Sequence, residues 1–214
     1  MRVDKWMTSI IYLVKPFCRP EDAAVRSSNE QAARNRDRIV LEAARLFRER
    51  GFDGVAVADV MRGAGLTHGG FYTHFASKQE LMALACRRAV ADMLEDWRDR
   101  ADAAPGDPLA AICEAYLSDP HRDDPGGGCL MAALGPDAAR QAPPVRRAVT
   151  ECLGDVLDAL AARAAGADPA ARRVAAIRLF TGLVGAMVVA RAVDDPGLSD
   201  EILAAAREAV AEGR

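Results

Sequence analysis

Histidine and cysteine are the side chains best suited to metal binding or nucleophilic chemistry, and this 214-residue chain uses only three histidines and five cysteines. His68 and His74, six positions apart, would point about 240° away from each other around a helix and cannot converge on a metal. His121 sits alone in a loop, HRDDPGGG. Cys18, Cys86, Cys113, Cys129 and Cys152 lack paired or metal-like spacing, so neither a disulfide framework nor a metal site is expected, and a reducing, cytoplasmic setting fits best. Cys129 follows three glycines at an expected helix start, where the helix dipole lowers a thiol pKa. Its commoner alternative is a small buried wall residue. No Ser-His-Asp or Cys-His spacing supports catalysis, so no catalytic residue, enzyme activity or cofactor is expected.

The elements that must position these residues read as helices. Half the residues are hydrophobic and only 5% are aromatic, a balance that favours helix over strand. A formal net charge of -3 argues against a protein held to nucleic acid by bulk charge, so any such contact must be local. The apolar run from Trp6 to Val14 is broken by Thr8 and Ser9 and closed by Lys15 and Pro16. It is too short for a bilayer, and no membrane partner is expected. Residues 1 to 26 read as a loosely ordered extension, with Met7 a second candidate start.

Ser27 and Glu30 have capping-box spacing, predicting a helix from about Gln31 to Arg50 that ends at Gly51. Ile39, Ala43, Leu46 and Phe47 form its buried face. Val57 to Ala64 and Thr67 to Phe75, two short helices around Gly65, suggest a helix-turn-helix, with Thr67 capping the second and Leu66, Phe71 and Phe75 facing the core. Ser77 and Glu80 open a long connecting helix. Further helices are expected over Pro108 to Ser118, Leu130 to Gln141, Pro144 to Ala165, Ala170 to Val193 and Ser199 to Glu212. The second half of Ala170 to Val193 (LFTGLVGAMVVA) is apolar nearly all round and must be covered on every side. A second copy across a two-fold axis could cover it, with Gly182, Gly185, Ala186 and Val189 at the seam. The alternative is the central helix of a monomeric core.

The stretch AVADVMRGAGLTHGGFYTHFASKQEL (Ala56 to Leu81) resembles the TetR family of regulators, closely over about residues 31 to 85. Ala43, Ala44, Leu46, Phe47 and Gly51 match its first helix. Ala64 and Gly65 match the turn, and Phe71, Tyr72, His74, Phe75 and Lys78 match the Phe/Leu-Tyr-x-His-Phe…Lys signature. The resemblance implies an all-α fold. Residues 27 to 80 would form a three-helix DNA-binding domain, and residues 81 to 214 a larger helical domain for ligand binding and dimerisation. Thr67 to Phe75 would be the recognition helix in the major groove. Thr67 and His68, at its start, would meet a phosphate or a base edge. By analogy Tyr72, His74 and Lys78 would contact phosphates and Thr73 would point toward bases.

Two glycines inside that helix each cost roughly 0.5 to 1 kcal/mol against alanine. Gly69 is expected to let the motif helices pack, and Gly70 to bring backbone near DNA. Many members place Ser or Thr where this chain has Ala56, so either Asp53 substitutes as cap or packing alone holds the helix. The resemblance further implies an effector cavity, for which Met93, Trp97, Tyr116, Cys129, Met131, Leu134 and Phe180 are candidates. The expected function is a homodimeric repressor released from a palindromic double-stranded operator by a small molecule. Alternatives are a thiol-based redox or electrophile sensor using Cys129, a helical binder or enzyme without DNA binding, and a sequence-independent architectural DNA protein.

Overall fold

The computed structural model describes residues 20–212, with side chains described from Asn29 onward. Nine α-helices and one 3-10 helix make up this part, and among the described residues there is no strand. The first helix, α1 (Pro20–Arg50), starts earlier than the sequence predicts. The proposed Ser27–Glu30 box therefore lies inside a helix rather than at a terminus; the Ser27 side chain is outside the described residues, as is the backbone before Pro20.

α2 (Val57–Gly63) packs on α1, and the 3-10 helix His68–Thr73 packs on α2. Their shared core is aromatic. Phe47, Phe52, Phe71 and Phe75 are all buried together with Ile39, Val60, Met61 and Leu81. Phe47 and Phe52 ring centroids lie 5.4 Å apart, and Phe71 stacks on Phe75 at 5.4 Å. Offset or tilted pairs at this range gain about 0.5–1.5 kcal/mol beyond area burial.

The turn after α2 is set by Gly65, whose φ is +69°. Leu66 N–H donates to the Met61 carbonyl (2.8 Å) and Gly65 N–H to that of Arg62 (2.9 Å), the paired bonds of a Schellman stop. Only glycine adopts this conformation without steric cost. A nearby cation completes the stop: the Arg38 guanidinium donates to the Ala64 carbonyl.

α3 (Lys78–Ala103) runs from the small domain into the large one, against both α1 and α7. The remaining helices are α4 (Pro108–Tyr116), α5 (Asp119–Asp123), α6 (Leu130–Ala139), α7 (Pro143–Ala161), α8 (Pro169–Ala192) and α9 (Pro196–Glu212). The short α5 takes in the first three residues of the stretch read as a loop, His121 to Asp123, and is capped by the Ser118 hydroxyl, which accepts from His121 N–H.

α8 buries one stripe, Ala176, Phe180, Leu183, Met187 and Ala190, against the chain's own core. The spacing alternates four and three residues, as a single helical face requires. Its opposite face leaves Val174, Ile177, Val188 and Val189 uncovered. Gly182 and Gly185 lie on that open side, where an added Cβ would meet nothing within 4 Å. Within one chain, then, the apolar helix is covered on one side only.

Candidate DNA-binding surface and effector cleft

Two buried phenylalanines hold the 3-10 segment from below and leave its other side to solvent. Thr67, His68, Tyr72 and Thr73 are exposed, Tyr72 at 74%. His74 and Lys78 are half-buried at the same edge. The segment is 3-10 rather than the α-helix expected from the sequence. Its Gly69-Gly70 pair weakens α-helical preference, and the Thr73 hydroxyl donates to the Gly70 carbonyl (2.6 Å), the back-bonding that competes with regular helix. Thr67 stands at the N-cap but its side chain makes no capping bond, contrary to expectation.

Positively charged side chains brace this edge from behind. Arg36 donates to the His74 carbonyl (2.5 Å), pairs with Glu80 (3.1 Å) and lies 4.4 Å over the Phe75 ring. Glu80 in turn accepts from Ala76 N–H (2.7 Å), while Ser77 caps α3 through Glu80 N–H (3.1 Å). The Ala76 amide, then Arg36, hold the Glu80 carboxyl below the usual range. At α2 the reciprocal half of the box comes from Asp59, which accepts Ala56 N–H (3.0 Å). Asp59, not Asp53, thus compensates for the missing Ser or Thr.

The expected roles of the two glycines change. A Cβ on Gly69 would meet nothing within 4 Å, so helix packing does not require glycine there. A Cβ on Gly70 would touch Met61 Cε at 3.7 Å, an ordinary contact on the α2 side. Gly69→Ala is accordingly expected to stabilise the free protein by up to about 1 kcal/mol in denaturant titration. It should also weaken DNA binding, because the added methyl points outward. Unchanged stability would show that the backbone at this position is more constrained than its open surroundings indicate.

Behind the small domain lies a cleft of about 870 Å³ between α1, α3, α4 and the Asp124–Cys129 loop. Its walls mix Leu41, Met93 and Trp97 with Arg45, Arg48 and Asp96. Of the seven residues proposed for a ligand cavity, Met93, Trp97, Tyr116 and Cys129 line this cleft. Met131 and Phe180 instead border, with Met93 and Cys129, a crevice of about 10 Å³, no larger than one water. Leu134 is in the packed core. These three come from helix faces that pack against neighbouring helices, which helical periodicity cannot tell from cavity-lining faces.

Cys129 is the N-cap of α6 and only 1% exposed. Its backbone N–H donates to His121 Nε2 (3.0 Å), which fixes the imidazole as the tautomer with the proton on Nδ1, facing the Tyr116 carbonyl (2.5 Å). Burial holds the His121 pKa below its ordinary value, consistent with a neutral ring.

The two domains meet through α1. Arg48 donates twice to the Gly126 carbonyl, through Nε at 2.7 Å. Phe52 N–H donates to Asp137 of α6 (3.3 Å), while the Phe52 carbonyl accepts from Lys78 Nζ (2.7 Å). Gly51, at φ +76°, brings the chain to Asp137: a Cβ there would sit 2.6 Å from the carboxylate.

Residues 39–85 match the family model "Bacterial regulatory proteins, tetR family", and residues 105–206 match "Tetracyclin repressor-like, C-terminal domain". The chain belongs to the TetR family. Among curated relatives, HTH-type transcriptional regulator AcrR of Shigella flexneri is 28% identical over 92 residues, 43% of either chain. TtgR of Pseudomonas putida is 36% identical over 75 residues, 35% of this chain and 33% of that one. The chain thus matches less than half the length of these relatives. A TetR-family regulator from Cytophaga hutchinsonii superposes with a TM-score of 0.70 at 18% identity, covering 85% of this chain and 96% of the other. That likeness extends the shared fold through the C-terminal helices of this TetR-family chain.

Sequence reasoning missed the bracing residues. Arg36, Arg48 and Asp137 act on partners 38, 78 and 85 positions away. No local pattern marks such contacts. The only available signal was an arginine-rich α1 with more cations than its exposed i,i+4 acids can pair.

Proposed function

We propose that this TetR-family chain is a cytoplasmic, homodimeric transcriptional repressor that reads a palindromic operator and is released by a small molecule in the α1–α3–α4 cleft. The observation that carries the reading is that α1 forms both the spine of the DNA-binding core and a wall of the cleft, through Leu41, Glu42, Arg45 and Arg48. An occupant therefore touches the DNA-binding domain directly.

In this reading Thr67, His68 and Thr73 face base edges or phosphates, and Tyr72, His74 and Lys78 set the register on the phosphates, while the Gly70 N–H is engaged by the Thr67 carbonyl (3.1 Å). The Thr73 hydroxyl proton is engaged by Gly70, so Thr73 meets a base as acceptor, which suits the amino groups of adenine or cytosine. Gly182, Gly185 and Val189, with the partly buried Ala186 at their margin, form the seam with a second copy, which covers the open face of α8. α8 is long and apolar enough to cross a membrane by composition. A protein partner suits it better than lipid, because Arg191 turns inward at its end and donates to the Arg122 carbonyl (2.9 Å) and to that of His121.

Two such copies place their recognition segments about 34–36 Å apart to fit successive major grooves. A ligand with higher affinity for a splayed arrangement shifts the population away from DNA by that difference. The Arg48–Gly126 and Phe52–Asp137 contacts link the cleft wall to the recognition edge, since Phe52 also holds Lys78. Cys129 serves as a buried wall residue here.

Selection from a random pool of duplex DNA tests the proposal. Enrichment of one palindrome with half-sites a helical turn apart is expected. Recovery of no sequence above background at low salt would reject it.

A further inference from the structure

Three buried polar atoms among the described residues have no nitrogen or oxygen hydrogen-bond partner: Arg48 Nη1, Tyr116 OH, whose hydrogen-bonding neighbour is the Cys129 thiol, and Arg191 Nη1. They belong to α1, α4 and α8, yet all three surround one point, the loop that ends at Cys129. Arg48 and Arg191 both interact electrostatically with Cys129 and Asp124. The Tyr116 hydroxyl lies beside the Cys129 thiol and within the field of Arg191, with no nitrogen or oxygen partner of its own. Leaving a buried donor unmet costs about 1–3 kcal/mol, more when it is charged. Three such donors converge from separate helices on one loop, and an acceptor placed in the cleft would serve the two that belong to cleft-lining residues, Arg48 and Tyr116.

The sign of that acceptor follows from the neighbours. The other arginines of the cleft already have carboxylates: Arg45 pairs with Glu42 (2.6 Å) and Glu49 (2.5 Å), and Arg100 with Asp96 (2.6 Å). Arg48 has only the Gly126 carbonyl, and Arg191 only those of His121 and Arg122. Neither guanidinium has a carboxylate within ion-pair distance; burial lowers the pKa of both, opposed from further off by Asp92 and Asp124 at Arg48 and by Asp124 and Asp123 at Arg191. His121 is neutral and its ring nitrogens are both occupied, so it supplies no further donor. Arg48 and Tyr116 line the same cleft, whose apolar wall includes Leu41, Met93 and Trp97.

We infer that the effector is a small organic acid: its carboxylate takes the free Nη1 of Arg48 and the hydroxyl of Tyr116, and its apolar body lies on Met93 and Trp97. Arg191, behind Tyr116, adds positive potential without needing to touch the ligand. The inference rests on the proposed effector role of this cleft and specifies the chemistry it selects. A cleft of about 870 Å³ is large enough for a drug-sized molecule, so the acid carries an aromatic or medium-chain aliphatic body rather than being a bare anion.

The test uses three acids, benzoate, naphthalene-2-carboxylate and octanoate, each paired with its uncharged carboxamide. Binding to the full chain is followed by calorimetry and by quenching of Trp97, one of only two tryptophans. At least one acid is expected to bind about tenfold or more tighter than its amide, the difference a charge-assisted hydrogen bond supplies. Tyr116→Phe, which removes a single oxygen, and Arg48→Gln should each erase most of that preference. Circular dichroism and melting confirm that each variant is folded. If no acid outbinds its amide, or if Tyr116→Phe retains the full preference, the inference is overturned. These outcomes separate from those of the DNA selection. A palindrome recovered without acid preference rejects only the ligand class, whereas acid preference without any selected DNA rejects only the repressor reading.

Discussion

Phe71→Ala is expected to abolish DNA binding and to destabilise the small domain by about 3–5 kcal/mol, the range for emptying a buried aromatic site. Phe71 is fully buried and stacks on Phe75 beneath the segment that carries the exposed side chains. With much of a typical 5–15 kcal/mol stability removed, the melting temperature should fall sharply. The neighbouring substitution separates scaffold from contact. Tyr72 is 74% exposed, so Tyr72→Ala should leave thermal unfolding within about 0.5 kcal/mol of the parent. It should nonetheless weaken operator binding roughly tenfold, the loss of one hydrogen bond to a charged phosphate. A Tyr72→Ala protein that melts like Phe71→Ala would show that the ring supports the fold. One that binds DNA normally would remove Tyr72 from the interface.

Gly185→Arg should yield a folded monomer. Nothing in the chain lies within 4 Å of a Cβ at this position, and arginine is the better helix former by close to 1 kcal/mol, so the isolated fold should tolerate or gain from the change. Across a two-fold seam the same side chain would place charge and bulk between two close helices. Sedimentation should then report one chain instead of two. Operator affinity should drop about 100-fold or more, because the second half-site is no longer bound at the high effective concentration that tethering provides. A Gly185→Arg protein that stays dimeric would move the interface off this face of α8.

The contrast between these two sites explains what could be read before the structure. The aromatic core was legible because Phe71 and Phe75 lie four residues apart, the spacing of one helical face, and because Gly65 announces the turn between two short helices. The open face of α8 was legible as an excess of apolar residues. The winding of the recognition segment was not, since nine residues containing a Gly-Gly pair satisfy α and 3-10 geometry alike. The helix boundary at α1 was obscured by a capping signature, Ser27 with Glu30, that falls inside a longer helix. The cleft was only half legible. Met93, Trp97 and Tyr116 share its wall, but nothing in the sequence sets Arg45 and Arg48 opposite them, because periodicity reports which side of a helix is polar and not what stands opposite it.

The tighter winding of His68–Thr73 has a consequence for how a groove would be read. With three residues per turn, side chains three apart eclipse one another, so Gly69 lies directly beneath Tyr72 on the outermost stripe. That stripe is an aromatic plate over a bare rung of peptide. Near the start of the segment, amides lack intrahelical acceptors, so whatever docks at Gly69 meets main chain rather than a side chain. A peptide group carries no residue-specific information, and at that step the double helix would be judged by its local width and curvature, with base identity decided elsewhere along the segment.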